Sequence, residues 1–257
     1  TFSDSPRQWG NYEMASPDFY QKMREGGIAK TAAINIAQFT EVFEEIIKDG
    51  VDVVYLGFSG GLSSTVKSAA VAANQLMEKY PERRIVVIDT LAASAGQGLL
   101  LYHAVEAKKN GADMDGVIAK VNENKLKLAH WFTVDDLVYL KRGGRVSAVS
   151  AFVGGMLGIK PVLHVDDDGH LIAMEKVRGR KTSLKTIAKK YTETAEDPKS
   201  GVVFISHGDC IEDANALANM IEEEHGVKTE IITYVGPVIG AHSGPGTLAL
   251  FYIAKER

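Results

Sequence analysis

Apolar residues recur along this chain in two rhythms, and their order sets the expected architecture. Val51-Asp52-Val53-Val54-Tyr55-Leu56 and Arg84-Ile85-Val86-Val87-Ile88-Asp89 are short, near-continuous apolar runs rich in β-branched residues. Such runs mark strands buried on both faces. The alanine-rich stretch 66–80 between them reads as a helix. Upstream, Ile36, Phe39, Phe43, Ile46 and Ile47 repeat at helical spacing behind Asn35, a good N-cap, and stop at Gly50. Ser16 followed by Pro17 is expected to cap and open a helix running to about Glu25. Residues 94–110, stopped by Gly111, and 114–128 are expected helices, with Ser94 as a cap. Strands alternating with helices predict a parallel sheet in this first part.

From about Ala129 the texture changes. His130-Trp131-Phe132-Thr133-Val134 reads as a strand, and 135–140 as a short helix with acidic residues at its start. The stretch 163–177 alternates on both sides of Asp166-Asp167-Asp168-Gly169, a turn signal, and predicts a β-hairpin. Helices are expected over 183–194 and 211–225, and strands over 201–206, 228–235 and 247–253. Hairpins mixed with helices give an α+β reading with a partly antiparallel sheet. The fold class is therefore α/β, with a parallel-sheet domain over residues 1–130 and an α+β domain over residues 131–257. No internal repeat or low-complexity linker interrupts the chain.

The 257 residues are 45% hydrophobic, enough for a sizeable core. A formal net charge of −4 argues against a nucleic-acid surface, and Arg178-Gly179-Arg180-Lys181 is the basic run that stands out. The single cysteine, Cys210, allows no internal disulfide and suits a reducing cytoplasm, the expected location. It reads as a small buried residue at a strand end. His207 and Asp209 beside it read as a solvated strand-end turn. No apolar run reaches the length of a membrane span, and no signal peptide is seen. Thr1-Phe2-Ser3-Asp4 carries no initiator methionine, so an upstream segment is expected to be missing.

The densest chemistry lies in Leu56-Gly57-Phe58-Ser59-Gly60-Gly61-Leu62-Ser63-Ser64-Thr65. Its glycines let a backbone approach a ligand closely, and it offers four hydroxyls, Ser59, Ser63, Ser64 and Thr65. A strand, a Gly/Ser loop and a helix N-terminus in that order suit an anion. A P-loop is excluded, because no Gly-Lys-Ser/Thr follows the glycines. Gly57-Phe58-Ser59-Gly60-Gly61 satisfies the G-x-S-x-G elbow of hydrolases. That fold needs several strands and an oxyanion loop first, yet only 58 residues precede Ser59, without a His-Gly-Gly-Gly run. A serine esterase using Ser59, with His242 and an unidentified acid, stays as the alternative. A carboxylate cradle and a plain turn with helix-capping serines are the other readings. A nucleotide-binding regulator fits less well, since Gly244-Pro245-Gly246 lies late and precedes a strand.

Further motifs follow that loop in a fixed order. Lys30-Thr31 comes first, then the 57–65 loop, then Asp89-Thr90 with Ser94, Gly96 and Gly98. After them stand Tyr139-Leu140-Lys141-Arg142-Gly143-Gly144-Arg145-Val146-Ser147, Ile159-Lys160-Pro161, Arg178-Gly179-Arg180-Lys181 and Gly236-Pro237-Val238-Ile239-Gly240-Ala241-His242-Ser243-Gly244-Pro245-Gly246. Together they resemble the DegV family of bacterial fatty-acid-binding proteins. That family carries K-T-S-Q-P-S, S-S-x-L-S-G-T, D-S-x-x-x-S-x-G-x-G, Y-L-K-K-G-G-R-I-S, I-K-P, R-G-x-K and G-P-V-I-G-x-H-x-G-P-G segments in the same order. The chain departs from the pattern at Ala32, Ala33 and Asn35. It departs again at Gly60 and Ser64, and it lacks the family's initial strand with T-D-S.

The resemblance implies a long-chain fatty acid held between two domains, with no other cofactor and no metal. The protein would be a non-catalytic carrier that presents the acid to a kinase subunit, which makes an acyl-phosphate for phospholipid synthesis. Thr31 and Ser63, with N–H groups near Leu62 and Ser64, would hold the carboxylate, with Ser59 close by and His242 as a donor. Arg145 and Arg178 would meet a phosphate or the partner. Phe152, Met156, Leu157 and Ile159 would line an apolar tunnel. The chemistry agrees, because a buried carboxylate needs hydrogen bonds and a buried tail gains about 0.8 kcal/mol per CH₂.

Overall fold

A computed structural model describes residues 1–5, 7–145 and 158–257, which form a two-stranded and a six-stranded sheet with helices between and around them. In the small sheet, β1 (Val53–Gly57) and β2 (Ile85–Asp89) run parallel, Val53 opposite Ile85 and Gly57 opposite Asp89. The crossover between them is α3 (Thr65–Lys79), since parallel neighbours cannot be joined by a tight turn. Against α3 packs α2 (Ile36–Lys48), burying Phe39, Phe43 and Ile47 with Ala69, Ala72, Ala73 and Leu76. Asn35 and Gln38 form the reciprocal capping box, each side chain accepting the other's backbone N–H at 3.0 Å. Ile36 and Ile46 fall outside the buried stripe and are exposed. The helix α1 (Ser16–Arg24) has Ala15, not Ser16, at its cap position.

Between the two sheets lies α4 (Ala95–Lys109). Its Leu99 and Leu100 join Phe132, Phe204 and Phe251 of the large sheet, while Ala104 packs with Ile88 and Val121 under the small one. A helix buried on two sides shows no single apolar stripe, so its sequence does not say which sheet it covers. Val121 belongs to α5 (Met114–Lys125), which packs against α4.

The large sheet has the order β5-β4-β3-β8-β6-β7. Its strands are β3 (Leu128–Thr133), β4 (Ile159–Val165), β5 (Leu171–Arg178), β6 (Phe204–His207), β7 (Ile231–Tyr234) and β8 (Leu248–Ile253). Only β6 and β7 are parallel neighbours; the other pairs are antiparallel. Alternation along the strands sorts two cores. Ala129, Trp131, Ile205, Leu250 and Tyr252 meet α7 (Arg180–Thr194) and α8 (Ile211–His225) on one face. Phe132, Phe204, Ala249 and Phe251 turn to the α4 side. β3 crosses residue 130, and α4 upstream of it packs into the large sheet's core.

Two short helices complete the frame. α6 (Val138–Arg142) starts later than its acidic lead-in suggests, because Asp136 Oδ1 accepts the Val138 N–H at 2.8 Å and so caps it from outside. α9 (Pro237–Ser243) is not announced by its sequence, which reads as a glycine-rich turn. Pro237 opens it and Gly244, at φ 83°, closes it. Among the described residues no helix is long and apolar enough to cross a membrane.

Candidate ligand-binding site

The Ser/Gly loop is held by the loop that follows β2. Gly60 N–H donates to both Asp89 carboxylate oxygens at 3.1 Å, Thr90 Oγ1 donates to Gly57 O at 2.6 Å, and Ser59 N–H to Ala92 O at 2.9 Å. Inside the loop, the N–H groups of Leu62 and Ser63 both donate to Ser59 O at 3.1 Å. The expected backbone cradle at 62–64 is therefore mostly spent on the turn itself. Hydroxyls remain: Ser63 Oγ lies 2.8 Å from Thr65 Oγ1 and accepts the Thr65 N–H at 3.2 Å. That bond makes Ser63 the residue that caps α3, whereas Ser64 makes no side-chain cap.

Ser59 has a different task. Its side chain is fully buried, donates to Gly169 O at 2.8 Å and accepts the Gly61 N–H at 3.2 Å. The bond joins the loop to the β4–β5 turn. A serine whose proton sits on a carbonyl, with no base bonded to it, is not an activated nucleophile. His242, the base expected for an esterase, is bonded to Thr31 instead.

A cavity of about 1070 Å³ opens between this loop, residues 27–34, α6, α9 and the α4 side of the large sheet. Of its lining, Ile28, Ile34 and Val238 are exposed, and Phe132, Leu140, Val165, Ala249 and Phe251 are buried. Thr31 Oγ1 and His242 Nε2 meet at 2.8 Å in its wall. A Cβ on Gly143 would run into His242 Nδ1, so the end of α6 leaves room for the ring only with glycine there. Arg145 Nε donates to Leu62 O at 3.2 Å and its Nη1 donates to Gly143 O, tying α6 to the Ser/Gly loop. Burial, and then the Arg145 charge, holds the His242 imidazole below its ordinary pKa, so it is neutral at pH 7.

Charge in the lining is one-sided. Lys30, Arg142 and Arg145 belong to it, and among the described residues no Asp or Glu does. A cationic, hydroxyl-bearing region before an apolar interior suits an amphiphile with one anionic end.

Thr31, Leu62, Ser63, Ser64, Arg145 and His242 thus share one cavity, as the sequence motifs imply. Ser59 does not line it. Arg178 is exposed at the end of β5, opposite Ile159, and neither belongs to the lining. The neighbouring Arg180 is the anchored one, donating from Nε to Asp213 Oδ2 at 2.8 Å. Val165 and Leu171 of the hairpin line the cavity where Ile159 was expected; Phe152, Met156 and Leu157 lie outside the described residues. Ser94 makes no cap bond; its Oγ sits 3.0 Å from Ser206 Oγ and both line the cavity. His207 is not solvated but buried in β6, where Nδ1 accepts the Cys210 N–H at 3.2 Å. Burial pushes the Cys210 thiol up to about 11, which leaves it protonated. Arg142, His130 and Ser206 escaped sequence reading. Period-two alternation would have put His130 on the face of Phe132, but nothing in the sequence marks that face as a cavity wall.

Residues 8–255 match the family model described as an uncharacterised protein of the DegV family. The chain belongs to the DegV family. A DegV domain-containing protein of Clostridium perfringens is 46% identical over 245 residues, covering 95% of this chain and 84% of that one. Among solved DegV structures, one from Thermus thermophilus, described as fatty-acid binding, is 30% identical with a TM-score of 0.86, covering 98% of this chain and 89% of its own. One from Eubacterium ventriosum, described as a stearic-acid-binding protein, is 26% identical with a TM-score of 0.85, covering 95% and 85%. The DegV fold thus accounts for both sheets and for the helices around them.

Proposed function

We propose that this protein binds a long-chain fatty acid, carboxylate beside Thr31 and His242 and tail in the buried apolar interior. The observation that carries this reading is the lining: among the described residues, three cationic side chains and no carboxylate stand with hydroxyls and with aliphatic and aromatic walls. The fatty-acid binding described for the Thermus structure and the stearic acid named for the Eubacterium one support it. With its proton on Nε2, neutral His242 donates to Thr31 Oγ1 and leaves the threonine hydroxyl free to donate to a carboxylate oxygen. Ser63 and Ser64 add hydroxyls, and Arg145 supplies the opposing charge. The tail gains about 0.8 kcal/mol for each CH₂ removed from water.

In this reading the protein is a cytoplasmic carrier without a cofactor of its own. Two units divided near residue 130 hold the ligand between the Ser/Gly loop and the large sheet. It presents the carboxylate to a partner kinase, which forms the acyl-phosphate used in phospholipid synthesis. The open side near His242 is where a γ-phosphate would approach, and exposed Arg178 is a contact for the partner. Buried Ser59 and protonated Cys210 are poor nucleophiles, which favours a carrier over an esterase.

Mass spectrometry of a solvent extract of the denatured protein tests the ligand. Intact co-purified fatty acid is the expected result. An empty protein that cleaves p-nitrophenyl esters, and stops doing so as Ser59→Ala, would overturn the proposal. The partner role is tested with Arg178→Ala, which should bind fatty acid normally and slow its phosphorylation by the kinase. An unaltered rate removes Arg178 from that contact.

A further inference from the structure

The buried part of the cavity lining is not uniformly apolar. His130 lines it at 2% exposure, and neither ring nitrogen has a hydrogen-bond partner among the described residues. Ser206, fully buried, lines it with its hydroxyl 3.0 Å from that of Ser94. Ser243 Oγ, next in sequence to His242, is also buried in the lining without a partner. Strand register puts the sheet groups on one face: His130 stands opposite Phe251 and Ser206 opposite Ala249, so they flank the same short stretch of β8. The small Ala249 side chain leaves space beside Ser206. From above, the first turn of α4 closes in, where a Cβ on Gly96 would lie 2.6 Å from His130 Nε2.

A saturated hydrocarbon laid against these groups leaves His130 and Ser243 unpaired, and unpaired buried polar atoms are unfavourable. Burial holds His130 well below its ordinary pKa, so the ring is neutral and has one donor and one acceptor. A second carboxylate fits poorly, because none of the grouped side chains, His130, Ser94, Ser206 and Ser243, is cationic. Lys30 adjoins Thr31, and Arg142 and Arg145 flank Gly143 beside His242. A hydroxyl fits well: it can donate to one group of the cluster and accept from another.

We infer that the buried polar groups of the cavity recognise a hydroxyl carried on the acyl chain, so the preferred ligand is a hydroxylated long-chain fatty acid. This specificity rests on the fatty-acid reading above and refines its substrate class. The Ser94–Ser206 pair and His130 form the polar spot, and the distance from the Thr31–His242 pair fixes which carbon carries the oxygen.

The test is a titration of the delipidated full chain, by displacement of a fluorescent fatty acid. The competitors are octadecanoic acid and its isomers with one hydroxyl at successive carbons. One isomer should bind about tenfold tighter than the unsubstituted acid, the scale of one buried hydrogen bond satisfied. Its neighbours along the chain should fall back. In Ser206→Ala and in His130→Phe that ratio should drop to one or below. Ser206→Ala removes a single oxygen, so it still decides the matter if the histidine variant does not fold. Octadecanoic acid binding as tightly as every isomer would overturn the inference and leave the fatty-acid reading standing. Failure of all the acids to bind would remove both.

Discussion

Thr31 and His242 are 211 positions apart in sequence and 2.8 Å apart in the fold. Each is unremarkable alone: an exposed hydroxyl and a half-buried ring. Their contact turns two weak donors into an oriented pair, and Gly143 sets the ring's place by offering no side chain to oppose it. Thr31→Val should therefore weaken fatty-acid binding by about 1–3 kcal/mol, since a buried carboxylate loses a partner. Gly143→Ala tests the same pair without touching either member. Its backbone is in the right-handed helical region, so the new methyl acts on the ring rather than on the chain. Calorimetry should find an affinity loss close to that of Thr31→Val; full affinity would mean the ring's position does not matter. The identities of Thr31, Ser63 and His242 were legible in motifs. The loss of the Leu62 and Ser63 N–H groups to Ser59 O was not, because a turn's internal bonds depend on its closed shape.

Elements meet at the site through loops. The β4–β5 turn, legible from its Asp-Asp-Asp-Gly signal, docks on the Ser/Gly loop through the Ser59 hydroxyl. Ser59→Ala strands Gly169 O and the Gly61 N–H in a buried contact, with an expected cost of about 1–3 kcal/mol in urea unfolding. A stability equal to that of the parent chain would remove this docking role. The hairpin itself was readable because alternation and turn chemistry are local. Its docking was not, since it joins segments 110 positions apart. α9 shows the converse: glycines and a proline conceal a helix in which Gly240 packs closely against Tyr20.

Across the whole molecule, burial lowers the pKa of His103, His130, His164, His207 and His242 alike. His164 is the measurable case: buried, stacked on Trp131 at 4.2 Å, and lowered to about 4. The unfolded chain takes up a proton near pH 6.5, before the folded one does, so stability is full above that pH. It is lost as pH falls toward about 4. This group alone accounts for about 3 kcal/mol over that window. Urea midpoints should fall steadily between about pH 6.5 and pH 4.5, and His164→Phe should flatten the slope. A profile that is level in the parent chain would show the imidazoles protonating without penalty.

By itself the sequence determined most of the elements and their order, α9 excepted, because capping, turn chemistry and the spacing of apolar positions act within a few residues. Val53 to Gly57, the Asn35 cap and the hairpin around Gly169 all follow from such neighbours. It also named Thr31, Ser63, Ser64, Arg145 and His242, which line the cavity. Tertiary structure alone decided that α4 serves two cores, that Ser59 ties its loop to the β4–β5 turn, and that Arg180 is anchored while Arg178 is exposed. It alone put His130 and Ser206 on one cavity wall. Those outcomes depend on which distant surfaces come together, and contact across the fold carries no signal within a single segment.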